Sequence, residues 1–328
     1  MQNKKITLDD LSEHLQLSKF SVSRALRGKK GVSSETRELV LKAARDLGYK
    51  HSSLETEAAA RSIRLVIPRD DARDNPAWFD VIEGAEEEAR KMGYSLVTTL
   101  AEEDGDLSNG GTASGILLAG RRSRGVLESY LALPIPVVLI GYPKPGEAID
   151  TVHISDWEGG DLIGSHLKAL NHRHVAFVTD APDDAGRQER LRGLRGGLAP
   201  DGQVSCLHYD PENETDPSAL LRRIEALPDR PTVLVCASDA VCLSTILALQ
   251  QSGAQIPDDF SIVGGNRQWS VAMTGVDVTS LSAPMHELGR QGLLLLHERI
   301  GSPTGTPYRR VALAPTLRIR EASLRDLS

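Results

Sequence analysis

Lys19, Phe20, Ser21, Ser23, Arg24, Lys29 and Arg37 lie within one polar stretch, "SKFSVSRALRGKKGVSSETRELVLKAARDLGYK". An arginine fork can hold the O6 and N7 edge of a guanine, and an apolar or aromatic group can touch a thymine methyl. Further cationic side chains can hold phosphates, which fix position without reading sequence. The charge distribution agrees with that chemistry. Residues 1–50 carry eleven basic against six acidic side chains, a net of +5, in a chain whose total is -7, so the remainder carries -12. A small basic head on a large acidic body points to a polyanion-binding module joined to something else.

Other chemistries lack their motifs. There is no GxSxG elbow, no P-loop, no HExxH and no metal-ligand cluster, so no catalytic residue, metal ligand or cofactor is assigned. Cys206, Cys236 and Cys242 show no CxxC spacing and are read as buried thiols of a reducing compartment. The opening "MQNKKITLDD" lacks an apolar core for a signal peptide, and no run of eighteen apolar residues occurs. A cytoplasmic protein is expected. At 328 residues the chain has room for roughly two domains.

Three helices must position the basic head. Thr7 and Asp10 bracket the start of "LDDLSEHL" as a capping box, with Leu8, Leu11 and Leu15 on one face. After the turn "QLS", Ser18 caps "KFSVSRAL", whose Val22, Ala25 and Leu26 point inward. Gly28 and Gly31 end that helix, and Ser33 caps "SETRELVLKAARDL", with Leu39, Val40, Ala43 and Leu47 at core spacing and Gly48 as the stop. This is a helix-turn-helix. Its second helix enters a major groove N-terminus first, with Lys19 and Phe20 nearest the base edges and Arg24 one turn later. Lys29, Lys30 and Arg37 then meet phosphates. Phe20 is either a base contact or a fourth core residue.

The run "ITLDDLSEHLQLSKFSVSRALRGKKGVSSETRELVLKAARDLGYK" resembles, almost position by position, the DNA-binding head of the lac repressor family of bacterial transcription regulators. The resemblance implies that Lys19, Phe20 and Arg24 read bases, with Thr7, Ser18, Ser21, Ser23, Lys29 and Arg37 completing the DNA-facing set. It also implies a hinge at 50–62 that becomes helical on DNA and wedges a leucine into the minor groove. Here "KHSSLETEAAAR" offers Leu54 as its only large apolar residue, beside Glu55 and Glu57 and near Ala58, the corresponding place. Either Leu54 acts from a shifted register, or this protein bends DNA less.

From Ser62 on, apolar runs alternate with helical patterns: "IRLVIP", "YSLVTTL", "GILLAG", "PVVLIG", "HVAFVTD", "VSCLHY", "TVLVCAS" and "SIVGG". Two groups of strands predict two doubly wound parallel-sheet lobes, with ligand at the carboxyl ends of the strands. "NPAWFDVIEGAEEEARKMGY", "RLRGLRGGL" and "TSLSAPMHELGRQG" resemble the same family in order, whose body is of periplasmic-binding-protein type. The implied division is a head at 1–49, a hinge at 50–62 and an effector-binding and dimerisation domain at 63–328. Its first lobe takes 63–156 and 284–312, its second 157–283 and 313–328. The connection "AEEDGDLSNGGTAS" is too short and glycine-rich for the helix the family places there, a loss that would alter lobe packing or the dimer contact.

By that resemblance the effector cleft takes Asp70, Trp78, Asp156, Arg190, Ser238, Asp239 and Asn266. Trp78 offers a flat face to a sugar or base ring, or else is inter-lobe core. Arg190, in "RLRG", offers a fork of donors, or else lies on the surface among the neighbouring arginines. Asp239 either contacts ligand or caps the following helix. Asn266 stands in place of the usual acid, so it donates and accepts without charge. Trp269 could close the cleft. His172 and His174 are read as structural. The expected function is a dimeric, ligand-responsive repressor on near-palindromic operator duplex. Its effector is a sugar or, less favoured, a purine-like co-repressor. An α/β enzyme with a DNA-binding head and a regulator controlled by a protein partner are the alternatives.

Overall fold

The computed structural model describes residues 7–26, 32–47, 62–69, 76–101, 113–120, 122–144, 146–211, 214, 216, 218–265, 274–302 and 305–328. Lys29, Lys30, the hinge with Leu54, Asp70, Asn266, Trp269 and most of the 101–114 connection lie outside the described residues.

The head folds through local capping. Helix α1 spans Leu8–Leu15. Thr7 Oγ1 accepts the Asp10 amide at 3.3 Å, and the Asp10 carboxylate accepts the Thr7 amide at 2.7 Å. Helix α2 spans Lys19–Leu26 and is capped by Ser18, whose hydroxyl accepts the Ser21 amide at 3.1 Å. Ser33 caps α3, Ser34–Asp46, by accepting the Thr36 amide at 3.2 Å. Leu11, Val22, Ala25, Leu26, Val40, Ala43 and Ala44 close a core between the three. Leu39, expected in that core, is 53% exposed. It lies one residue, about 100°, round the helix from Val40, which puts it at the edge of the buried face. Ala44 takes the inward place.

Among the described residues the body holds two six-stranded sheets. Strands β1 (Ser62–Pro68), β2 (Ser95–Ala101), β3 (Gly115–Ala119), β4 (Val137–Ile140) and β5 (Asp150–Ile154) join β11 (Arg310–Leu313) in the order β11-β5-β4-β3-β1-β2. Strands β6 (His174–Thr179), β7 (Gln203–His208), β8 (Val233–Cys236), β9 (Ser261–Gly264) and β10 (Thr279–Ser282) join β12 (Thr316–Arg318) in the order β12-β10-β9-β8-β6-β7. All pairs are parallel except the antiparallel β10–β12 pair. The chain passes between sheets three times: after β5, after β10 and after β11.

Helices cover both faces of each sheet. Helix α4 (Trp78–Lys91) and α10 (Met285–Ile300) cover Leu65, Ile67 and Leu117 of the first sheet, while α5 (Arg124–Leu131) covers Val66, Ile116 and Leu118. In the second, α6 (Asp156–Ala169) and α7 (Ala185–Leu198) cover Val175, Phe177 and Val235. Helices α8 (Ser218–Glu225) and α9 (Asp239–Ser252) cover Val178, Leu234 and Ile262. Burial on both faces is why the central strands read as unbroken apolar runs. Cys236 and Cys242 are buried as expected, but Cys206 is exposed, because β7 is an edge strand. No described helix is long and apolar enough to cross a membrane.

Glycines set two helix pairs unusually close. A Cβ on Gly84 of α4 would stand 1.9 Å from the His286 carbonyl of α10, and one on Gly289 of α10 would stand 1.9 Å from the Val81 carbonyl. The α6–α7 pair repeats this: Gly160 faces the Arg190 carbonyl and Gly193 that of Trp157. This second contact positions the site, because it holds Arg190 one backbone away from the start of α6.

Candidate functional site

The outer face of α2 carries the head's polar and aromatic groups. Phe20 is 67% exposed, which rejects its reading as a fourth core residue; Val22, Ala25 and Leu26 already fill the inward face. The Arg24 guanidinium carbon lies 5.2 Å from the Phe20 ring centroid, a cation–π stack that sets both on one surface. Lys19 pairs with Asp9 at 2.7 Å, both well exposed. An exposed pair of that kind contributes about 0–1 kcal/mol. Ser18 and Ser21 share a hydroxyl contact at 2.9 Å. The Thr7 and Ser18 hydroxyls serve as caps, Ser23 is half-buried on α2, and Arg37 is half-buried on the first turn of α3.

A second polar group forms at the carboxyl ends of the second sheet's strands, where β6 and β8 flank the reversal of strand order. Ligands settle at such switch points in doubly wound sheets. Arg190 is no surface residue: its Nε reaches Asp156 Oδ1 at 2.9 Å, its Nη2 the same oxygen, and its Nη1 the Ala237 carbonyl at 3.0 Å. Asp156 is 8% exposed. Burial pushes its carboxyl up from the ordinary range, and the Arg190 charge and hydrogen bonds oppose that push. Arg190 thus offsets part of the burial that disfavours the charged carboxylate.

Around this pair stand residues that sequence reasoning reached only in part. Ser238, not Asp239, caps α9, its hydroxyl accepting the Val241 amide at 3.3 Å. Asp239 is the first residue of that helix, where the helix dipole favours its charge. Gly265 lies so close that a Cβ there would be 3.0 Å from the Asp239 nitrogen, which sets the segment after β9 against the start of α9. Trp78 opens α4 on the first sheet, half-buried against that sheet's core.

Three residues went unread. Arg187, one turn before Arg190, bonds Asp180 at the end of β6. Tyr142 follows β4, and its hydroxyl bonds residues on both sides of the crossover into α6. For Arg187 and Asp180 the signal was available, a strand end followed by a helix bearing a second arginine on nearly the same face. Tyr142 offered none beyond its place two residues past a strand.

Comparisons with known proteins place this geometry. The DNA-binding domain of bacterial regulatory proteins of the lacI family matches residues 7–52, and a periplasmic binding protein-like domain matches residues 165–323. The ribose operon repressor of Haemophilus influenzae is 26% identical, over 96% of this chain and 98% of its own. The HTH-type transcriptional repressor PurR of Mannheimia succiniciproducens is 27% identical, over 90% of this chain and 92% of its own. Among solved structures, the cellobiose complex of the transcriptional regulator CelR is similar with a TM-score of 0.69 at 25% identity, covering 97% of this chain and 100% of that one. The lac repressor dimer bound to operator and the anti-inducer ONPF shares the fold, with a TM-score of 0.75 at 20% identity over 98% of this chain and 100% of that one.

Proposed function

The chain belongs to the lacI family of bacterial regulatory proteins, a DNA-binding head ahead of a periplasmic-binding-protein-like body, and from that premise we propose a dimeric repressor whose operator affinity is set by a small polyhydroxylated molecule held at the Arg190–Asp156 pair. The observation that carries the reading is the outward row of α2. Lys19, Phe20, Ser23 and Arg24 flank the buried Val22, Ala25 and Leu26 on a helix whose first two residues, Lys19 and Phe20, are exposed. Arg24 supplies a fork for a guanine edge and Phe20 an apolar face for a thymine methyl. Two heads on one symmetric particle read two half-sites, so the operator mirrors the dimer axis.

The effector class follows from the bonds available. The Arg190 fork donates, the Asp156 and Asp180 carboxylates accept, and the Ser238 hydroxyl does both. A sugar presents donors and acceptors together and suits such a set. The name of the ribose operon repressor and the cellobiose bound to CelR support that class. Relatives of this length are named as transcriptional repressors, which removes the enzyme alternative.

The test is a selection of random duplexes with the full-length protein, followed by titration of D-ribose and cellobiose against the selected duplex at fixed salt. A two-fold symmetric site and at least a tenfold ligand effect on affinity are expected, with ligand binding altered reciprocally by the duplex. A monomeric protein that enriches no duplex overturns the reading. Symmetric-site binding that ignores polyols overturns the effector class alone.

A further inference from the structure

Tyr142 stands two residues beyond β4, on the first sheet, yet every polar bond of its hydroxyl reaches the crossover into the second. It donates to the Ile154 carbonyl at 2.7 Å and accepts the Asp156 amide at 2.9 Å. Those two groups flank Ser155, where the chain leaves β5 and enters α6. The first amides of a helix need an outside acceptor, ordinarily the side chain of the residue before it. Ser155 occupies that position and makes no side-chain cap bond. Helix α6 of the second sheet is thus capped by a phenol that belongs to the first.

The ring is held as firmly as the hydroxyl. It lies 4.5 Å, centroid to centroid, from the His153 ring, tilted by 48°. Gly186 of α7 also lies against it: a Cβ there would come 3.2 Å from two ring carbons and 2.8 Å from Asp156 Oδ2. Asp156 then passes the contact on, through Arg190, to the Ala237 carbonyl at the end of β8. One unbroken series of bonds runs from the end of β4, through the cleft pair, to the far side of the second sheet's switch point.

We propose that Tyr142 is a positioning residue that ties the state of the Arg190–Asp156 pair to the angle between the two sheets, an inference that rests on the regulator reading for its purpose but not for its geometry. Turning α6 against the first sheet stretches the phenol's bond to the Asp156 amide, while its bond to Ile154 of β5 stays within the first sheet. A ligand that draws Arg190 away from Asp156 removes one of the restraints that hold α6 in place. A tyrosine that only filled space would be replaced without loss by phenylalanine, which keeps the ring against His153 and Gly186.

Tyr142→Phe in the full chain, with Cys206→Ser and spin labels on Cys introduced at Glu128 of α5 and Arg222 of α8, tests this. With labelled chains diluted into excess unlabelled protein, so that each dimer carries one labelled copy, the unsubstituted background is expected to give one narrow inter-label distance and the phenylalanine variant a broadened or second population. Adding Ser155→Asp supplies a local cap. If Tyr142 merely caps a helix, that change restores both the urea midpoint and the distance; if it positions the sheets, the midpoint returns and the distance stays broad. Gly186→Ala, which drives a methyl against the ring, is expected to shift the same distance. Unaltered distances in both Tyr142→Phe and Gly186→Ala overturn the proposal. A protein that binds no duplex overturns the regulator reading instead, and leaves the distance measurement to judge the latch.

Discussion

Arg190→Ala removes the partner of a carboxylate that is 8% exposed. Breaking a buried ion pair from one side costs about 3–5 kcal/mol, because the remaining charge is left without compensation. Asp156 has an escape, which is to take up a proton. Doing so costs roughly 1.4 kcal/mol for each pH unit above an unfolded pKa of about 3.9, which is about 4 kcal/mol at pH 7 and about 1.5 kcal/mol at pH 5. The penalty is therefore capped, and the cap falls with pH. The sign follows from the direction of the shift. Burial already raises the Asp156 carboxyl, and without Arg190 only the smaller pull of Arg187 opposes it, so the folded protein holds its proton above the pH at which the unfolded chain releases it. Stability is then lost as pH rises and regained as it falls. The loss of a donor to the Ala237 carbonyl adds about 1 kcal/mol at either pH. Urea unfolding followed by tryptophan fluorescence, to which Trp157 beside Asp156 contributes, is expected to show a deficit at pH 7 that shrinks by about 2 kcal/mol at pH 5. Asp156→Asn in the same background is expected to abolish that difference. Operator binding is expected to persist while the effector response weakens. A deficit identical at both pH values, or one that Asp156→Asn leaves untouched, refutes the burial of an ionised Asp156.

Three further outcomes are expected. Phe20→Ala changes stability by no more than about 0.5 kcal/mol, since the ring is 67% exposed, yet lowers affinity for the selected duplex at least tenfold in a fluorescence anisotropy titration; equal affinity removes it from the DNA face. Gly289→Ala drives a Cβ to 1.9 Å from the Val81 carbonyl. As this is backbone, the cost is at the upper end of the roughly 1–3 kcal/mol of overpacking or beyond; a thermal midpoint within 1 °C of the parent contradicts the close α4–α10 approach. Glu287, bonded by Arg290 through two nitrogens, has its carboxyl held down at about 2. Its contribution to stability is present above the unfolded value, about 4.3, and is lost as pH falls through about 2. An NMR titration is expected to find the low midpoint in the parent and an ordinary one in Arg290→Ala.

What the sequence disclosed followed the reach of each interaction. Helix caps act over three residues, so Thr7 with Asp10, Ser18 with Ser21 and Ser33 with Thr36 could be placed from spacing alone. Phe20 and Leu39 were harder, for both are apolar at the margin of a short amphipathic helix, and only the closed core decides which margin is wet. Central strands were legible because burial on two faces leaves an unbroken apolar run. Strand β5 was not, because it opens on Asp150, a buried carboxylate answered by Arg299 from α10, 149 residues away. Strands β10, β11 and β12 are three or four residues long and mix polar with apolar side chains, so no local period marks them.

The cleft shows the same division in sharper form. Resemblance pointed to Arg190 as a cleft residue, but a guanidinium declares only what it donates. Its partners, Asp156 and Ala237, lie 34 and 47 residues away, brought together where the chain crosses between sheets. This bears on what can bind there. Each donor and carboxylate of the pair already has a partner, so a ligand gains only by the difference between the bonds it makes and those it displaces. An apolar molecule that separated the two would leave a buried charge on each side and lose more than it gained. A pure anion would answer Arg190 and abandon Asp156. A hydroxyl inserted between them accepts from the one and donates to the other, which leaves both satisfied while the distance between α6 and α7 changes. On the proposed reading, selectivity for polyols and the movement that follows binding would be the same event.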